Sequence, residues 1–252
     1  MNQDKSAETT HFGFKDVKES DKAGLVGEVF SSVAGNYDVM NDAMSFGVHR
    51  LWKNFAVSQS GLKTGNSALD VAAGSGDLSR EFSRQVGETG TVIMTDINYA
   101  MLHRGRDVMM DKGATGNVFY SITDAENLSF DSDTFNCVSI SFGLRNVTRI
   151  SNALKSMYRV LRPGGRLLIL EFSRPVSALM RKAYDTYSFN VIPRMGQLIA
   201  GDRESYQYLV ESIRKHPDQE TLAELMRDAG FEDVRWHNLT GGVVALHTGF
   251  KY

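Results

Sequence analysis

Leu69-Asp70-Val71-Ala72-Ala73-Gly74-Ser75-Gly76-Asp77 is the stretch on which the fold turns. A short apolar run (67–73) ends at a glycine cluster, and a helical pattern (77–87) starts directly after it. Glycines at such a junction let the backbone approach a ligand closely, and the helix N-terminus offers unpaired N–H donors. Asp96 ends the next apolar run, 91–97. A carboxylate there accepts hydrogen bonds from both hydroxyls of a ribose, so the two signals describe a nucleoside crevice at the carboxyl ends of parallel strands.

Working outward, strand and helix patterns alternate: helix 98–113, strand 117–123, strand 135–144, helix 148–162, a Pro163-Gly164-Gly165 turn and strand 166–172. Near-continuous apolar strands alternating with helices predict a parallel sheet covered on both faces. A helix at 221–231 and an antiparallel pair flanking Gly241-Gly242 close the chain. Before this core, residues 1–60 read as a polar tail of about 20 residues and a helical extension. Within the core domain, 61–252, an insertion at about 174–217 reads as a helical cap, because structureless loops of that length are uncommon.

Composition narrows the partners. The chain has 252 residues, 28 Lys and Arg, 30 Asp and Glu, and a net charge of −2, which offers no basic excess for nucleic acid. Its single cysteine, Cys137, suits a reducing cytosol and forms no internal disulfide. The six histidines are scattered, without metal-ligand spacing, so no metal is expected. The N-terminus is polar and no apolar run approaches 18 residues, so neither a secretory signal nor a membrane span is expected. These features point to a cytoplasmic protein.

Gly74 and Gly76 lack the third glycine of a dinucleotide fingerprint, since Ser79 stands in its place. An NAD-dependent oxidoreductase is therefore a rival reading. Asp124, after the third strand, is placed either to reach an adenine amine or to cap a turn. Arg145 and Asn146 follow the fourth strand and either meet a substrate or sit in a solvated loop.

The chain resembles class I S-adenosylmethionine-dependent methyltransferases, and more narrowly the ubiquinone/menaquinone biosynthesis C-methyltransferases. The resemblance rests on Tyr37-Asp38-Val39-Met40-Asn41-Asp42-Ala43-Met44-Ser45-Phe46-Gly47-Val48-His49-Arg50-Leu51-Trp52 and on Arg159 to Ser173, with further matches at 9–14, 141–147 and 216–219. It departs at Ala73, Ser75 and Arg162. The resemblance implies a seven-stranded Rossmann-like α/β fold with a C-terminal antiparallel strand. It places S-adenosylmethionine on Ser75, Asp96, Asp124, Ala125 and Ser141, beside Gly74 and Gly76. It also implies polyprenylated quinols as acceptors, with a ring carbon methylated.

A ring carbon attacks only once a neighbouring hydroxyl is ionised, and a phenol of pKa ~10 is neutral at pH 7. Arg145 is the candidate for phenolate stabilisation and Asn146 for orienting the oxygen. Tyr37 and His49 come from the N-terminal motif, expected to fold over the crevice, and His49 is either a base or a structural hydrogen-bonding residue. Leu179, Met180, Tyr184, Tyr187, Phe189, Val191, Ile192, Met195, Leu198 and Ile199 make the cap apolar. They read either as ordinary cover for the sheet or as a wall for the prenyl tail. The second reading brings peripheral contact with the inner membrane face. A homodimer and contact with other quinone-biosynthesis enzymes are compatible with this pattern. Two further rivals are a methyltransferase of another small molecule and a catalytically silent partner.

Overall fold

The computed structural model describes residues 8–33, 35, 41–42 and 44–252. Tyr37 and Asp38 lie outside the described residues. A hairpin comes first, β1 (Thr9–Phe12) with β2 (Lys15–Lys18), followed by helix α1 (Glu19–Val33) and α2 (His49–Ser58). The core then runs β3 (Ser67–Val71), α3 (Asp77–Val86), β4 (Thr91–Asp96), α4 (Tyr99–Asp111), β5 (Val118–Ile122), β6 (Phe135–Ser141), α5 (Ile150–Val160) and β7 (Leu161–Phe172). Three helices follow, α6 (Ala178–Asn190), α7 (Ile192–Ala200) and α8 (Arg203–Lys215). Helix α9 (Gln219–Asp228) and strands β8 (Glu232–Leu239) and β9 (Val244–Phe250) complete the chain.

The main sheet has seven strands in the order β5-β4-β3-β6-β7-β9-β8. The first five are parallel, and β9 pairs antiparallel with both β7 and β8. This is the expected α/β architecture. The strand order reverses between β4 and β6, flanking β3, so a crevice opens at the carboxyl ends of those strands.

Alternation along the strands supplies both faces of the sheet. Ala68, Leu168 and Leu170 pack with Trp52 and Ala56 of α2 and Leu78 and Phe82 of α3. Leu69, Val71, Leu167 and Ile169 pack on the other face with Leu154 and Met157 of α5 and Leu222 and Met226 of α9. A period of two in a strand buried on both sides gives this division.

Two local expectations are corrected. The N-terminal tail is not featureless from residue 8 onward: Phe12 of the hairpin stacks on Tyr208 at 4.2 Å, and Phe14 N–H donates to Glu211. The Pro163-Gly164-Gly165 turn lies inside β7, where the pairing with β6 shifts register between Phe135 and Cys137. Gly165 cannot carry a side chain there, because a Cβ would lie 2.7 Å from the Arg162 carbonyl oxygen.

Asp70 is 1% exposed beneath the glycine loop. Its carboxylate accepts from Ser79 Oγ (2.6 Å, on α3) and Ser139 Oγ (2.7 Å, on β6), which ties three elements together. Burial pushes its pKa up to about 6, against the opposing pull of these hydroxyls. Below pH ~4 the carboxyl is protonated in both folded and unfolded chains and carries no penalty. As pH rises through 4 to 6 the unfolded chain loses the proton first, so stability falls. Asp70→Asn should therefore gain stability relative to wild type by up to about 3 kcal/mol between pH 4 and 7. Denaturant unfolding of both proteins across that range checks this, and parallel pH profiles would contradict it.

Candidate active site

The glycine loop owes its path to three left-handed residues: Ala72 (φ 51), Gly74 (φ 55) and Gly76 (φ 80). Ala73 is not among them, so an alanine there costs no backbone strain. Phe142, directly after β6, is likewise left-handed at φ 55. Such conformations cost about 1–3 kcal/mol in a non-glycine residue and collect at ligand sites. Ala72 and Phe142 flank the crevice from the ends of two neighbouring strands. Gly143 fits between them because a Cβ would lie 2.7 Å from that of Ala72.

A first cavity lies over these strand ends, lined by Gly74, Asp96, Asp124, Ala125 and Ser141 among others. Asp96 Oδ2 accepts from Gly74 N–H (3.2 Å) and Oδ1 from Asn98 N–H (2.9 Å). Each oxygen retains acceptor capacity for a ligand hydroxyl. Burial pushes the Asp96 carboxyl upward, while those backbone donors oppose the shift. Ser141 Oγ is buried in this lining with no hydrogen-bond partner among the described residues. An orphaned hydroxyl beside a ribose-type acceptor fits a polar nucleoside ligand. Asp124 is exposed and also serves its turn, accepting from Glu126 N–H at 2.9 Å.

Ser75 and Gly76 do not line this cavity. Ser75 is buried, and Gly76 backs onto the sulfurs of Met94 and Met109, at 3.1 and 3.2 Å from a built Cβ. Helix α1 closes the cavity from above through Val26, Gly27 and Phe30. It is held by Lys22 Nζ donating to Val147 O (3.1 Å) and Asn98 Nδ2 donating to Gly27 O (2.9 Å). Lys22 is 1% exposed, and desolvation lowers its pKa. The sequence signal for this closure is the apolar spacing of Val26, Val29, Phe30 and Val33 in α1.

A second cavity adjoins the first. Its lining includes His49, Trp52, Arg145, Tyr184, Tyr187, Ile192 and Tyr208. Phe30, Phe142 and Asn146 line both cavities and form the wall between them. Tyr208 O–H donates to Asn146 Oδ1 at 3.0 Å and so orients the amide. Burial pushes the Tyr184 and Tyr208 phenols up to about 12, which keeps them neutral donors.

Arg145 is not in a solvated loop. Its side chain is 4% exposed and pairs with Glu171 (3.1 Å), itself 1% exposed. The same guanidinium donates to Phe142 O, while its Nε has no partner among the described residues. Glu171 escaped the sequence reading, although a lone charge at the end of Leu167–Leu170 was the available signal.

His49 accepts its place from Asp42, with Nε2 2.7 Å from Oδ1. In the cap, Tyr184, Tyr187 and Ile192 face the second cavity, whereas Leu179 and Leu198 are 81% and 85% exposed and point away from it. Among the described residues no cluster of three His, Cys, Asp or Glu side chains is set to hold a metal.

Residues 15–251 match the model of the ubiE/COQ5 methyltransferase family. The ubiquinone/menaquinone biosynthesis C-methyltransferase UbiE of Escherichia fergusonii is 59% identical over 249 residues, covering 99% of each chain. Among solved structures, a SAM-dependent methyltransferase from Aquifex aeolicus aligns with a TM-score of 0.59 at 17% identity, covering 79% of this chain and 89% of that one. The [4+2]-cyclase SpnF aligns at 0.65 and 16% identity, covering 90% and 94%. These last two likenesses concern the fold alone, and the cyclase shows that the fold does not fix a reaction.

The Arg145–Glu171 pair yields a stability prediction. Arg145→Ala leaves a buried carboxylate unpaired and should cost about 3–5 kcal/mol. The double variant Arg145→Met/Glu171→Leu should recover most of that loss. Thermal unfolding of the three proteins checks it, and a single variant as stable as wild type would contradict it.

Proposed function

Because the chain belongs to the ubiE/COQ5 methyltransferase family, we propose that its two cavities hold the methyl donor and the methyl acceptor of one reaction. That reaction is S-adenosylmethionine-dependent C-methylation in ubiquinone and menaquinone biosynthesis. The observation that carries the division is the shared wall: Phe30, Phe142 and Asn146 face both sides.

In the first cavity, Asp96 accepts the ribose hydroxyls, Ser141 Oγ gains the partner it lacks, and Asp124 and Ala125 meet the adenine. Gly74 keeps the loop close enough for main-chain contact, and Ser75 and Gly76 support it from behind. S-adenosylmethionine supplies an electrophilic methyl on a sulfonium. Helix α1, latched by Lys22, excludes water from above.

The second cavity takes the quinol ring, of demethylmenaquinol or of a 2-methoxy-6-polyprenyl-1,4-benzoquinol. Arg145 lies where a developing phenolate needs a donor, with Nε uncommitted and its net charge offset by Glu171. Asn146, oriented by Tyr208, positions the oxygen at the wall. Tyr37 belongs to the same sequence motif as His49 and lies outside the described residues.

The prenyl tail leaves along Tyr184, Tyr187 and Ile192. Each buried CH₂ favours that path by about 0.8 kcal/mol. Segment 174–200 carries four basic side chains (Arg174, Arg181, Lys182, Arg194) against one acidic, Asp185, in a chain of net charge −2. Phe46 stands 81% exposed near Tyr187, with ring centroids 6.3 Å apart. This rim suits peripheral contact with an anionic membrane face from the cytoplasm. No described helix is long and apolar enough to cross a membrane.

Purified protein, S-adenosylmethionine and demethylmenaquinol should give menaquinol, resolved by chromatography; turnover with NADH instead would overturn the reading. Asp96→Ala should weaken donor binding about 10- to 150-fold, the value of a charge-assisted hydrogen bond. Calorimetric titration of a folded variant with unchanged affinity would remove Asp96 from the donor site.

A further inference from the structure

We propose that His49, held by Asp42, is the general base that takes the hydroxyl proton of the acceptor ring. This rests on the acceptor assignment just made and identifies the group that activates it.

The tautomer follows from the partner. Asp42 is held below the ordinary carboxylate range, chiefly by its hydrogen bond to His49, and an ionised carboxylate only accepts. Nε2 therefore carries the proton and donates it to Oδ1 across 2.7 Å. That leaves Nδ1 with its lone pair, closed off from solvent and without a partner among the described residues. His49 is one of the residues that line the second cavity. A buried acceptor without a donor is costly, and an incoming hydroxyl satisfies it.

Elimination supports the same group. Of the other titratable side chains lining that cavity, Lys53 is a cation bound to Asp77 at 2.6 Å. Arg145 is never deprotonated and is paired with Glu171. Tyr184, Tyr187, Tyr206 and Tyr208 are phenols, which donate rather than accept a proton at neutral pH, and burial raises the pKa of Tyr184, Tyr187 and Tyr208 further. Around His49, burial lowers the imidazole pKa most and Lys53 lowers it further, while Asp42 and Asp77 raise it. Arg50 bonds the other Asp42 oxygen at 2.6 Å and Arg145 faces the same cavity. The resulting imidazole is neutral at pH 7, ready to accept.

In the proposed step the acceptor O–H bond breaks and an Nδ1–H bond forms, the electron pair staying on oxygen. Asp42 then faces an imidazolium and stabilises it. After the ring carbon is methylated its C–H bond breaks, the proton passing to water and the electron pair restoring the aromatic phenolate, and Nδ1–H returns its proton to the oxygen. One proton is released per turnover.

Two arms test this. The first needs no turnover: a prenylated 4-nitrophenol is bound at pH 6 and its ionised fraction read from the nitrophenolate absorbance. Wild type should bind it ionised and His49→Gln should bind it neutral; equal ionised fractions overturn the proposal. The second arm measures kcat against pH with demethylmenaquinol and with a ring-halogenated, more acidic quinol. His49→Gln should lose about 10²–10⁴-fold at pH 7. The loss should shrink as pH rises and with the halogenated ring. Asp42→Asn, at a partly exposed position, should lose activity in the same pH-dependent way with its melting temperature kept. A His49→Gln profile within twofold of wild type at every pH overturns the base assignment. A wild type that transfers no methyl to any quinol instead fails the acceptor reading, and the nitrophenol arm still decides the role of His49.

Discussion

The ion pair between Arg145 and Glu171 is the constraint on which the site depends. It is inaccessible to solvent and joins the segment after β6 to the end of β7. The guanidinium also holds the Phe142 carbonyl, and Glu171 accepts from the main chain at both Arg145 (3.3 Å) and Phe172 (2.8 Å). These bonds fix the turn Phe142-Gly143-Leu144-Arg145-Asn146, whose first and last side chains separate the two cavities. A buried pair contributes little net stability over apolar residues of the same size. Its worth here lies in position: the wall is set by two buried charges held against each other and against the main chain.

The two cavities differ in the chemistry of their linings. One is built at strand ends from backbone donors, Asp96 and an unpartnered serine, which suits a polar nucleoside. The other is built from aromatic side chains of α2, the cap and α8, with few polar groups, which suits an apolar ring and tail. Three of its polar groups are held by a side-chain partner: Arg145 by Glu171, Asn146 by Tyr208 of the same lining, and His49 by Asp42. Such support keeps polar groups in one geometry.

Much of the core was legible in the sequence because its strands are short apolar runs and its helices carry a 3.6-residue stripe. The glycine loop, Asp96 and Asp124 followed from those runs, since strand ends are where such a fold binds. Less could be read where the determinants are distant in sequence. The hairpin Thr9–Phe12/Lys15–Lys18 is polar, and its anchor, the stack of Phe12 on Tyr208, joins residues far apart in the chain. The burial of Arg145 depends on Glu171, and the lid role of α1 on a backbone carbonyl at Val147. Asp42 and His49 stand seven apart, two helical turns. That spacing was a readable signal, but the left-handed bend at Phe46-Gly47 interrupts the helix between them.

The central claim is that two adjoining cavities form one reaction site across the Phe142–Asn146 wall. A bisubstrate ligand, S-adenosylhomocysteine joined through sulfur to a prenylated hydroquinone by a one-carbon bridge, tests it by calorimetric titration. The account predicts binding at least ~100-fold tighter than S-adenosylhomocysteine alone, because both halves are held at once. Binding no tighter than S-adenosylhomocysteine would contradict it.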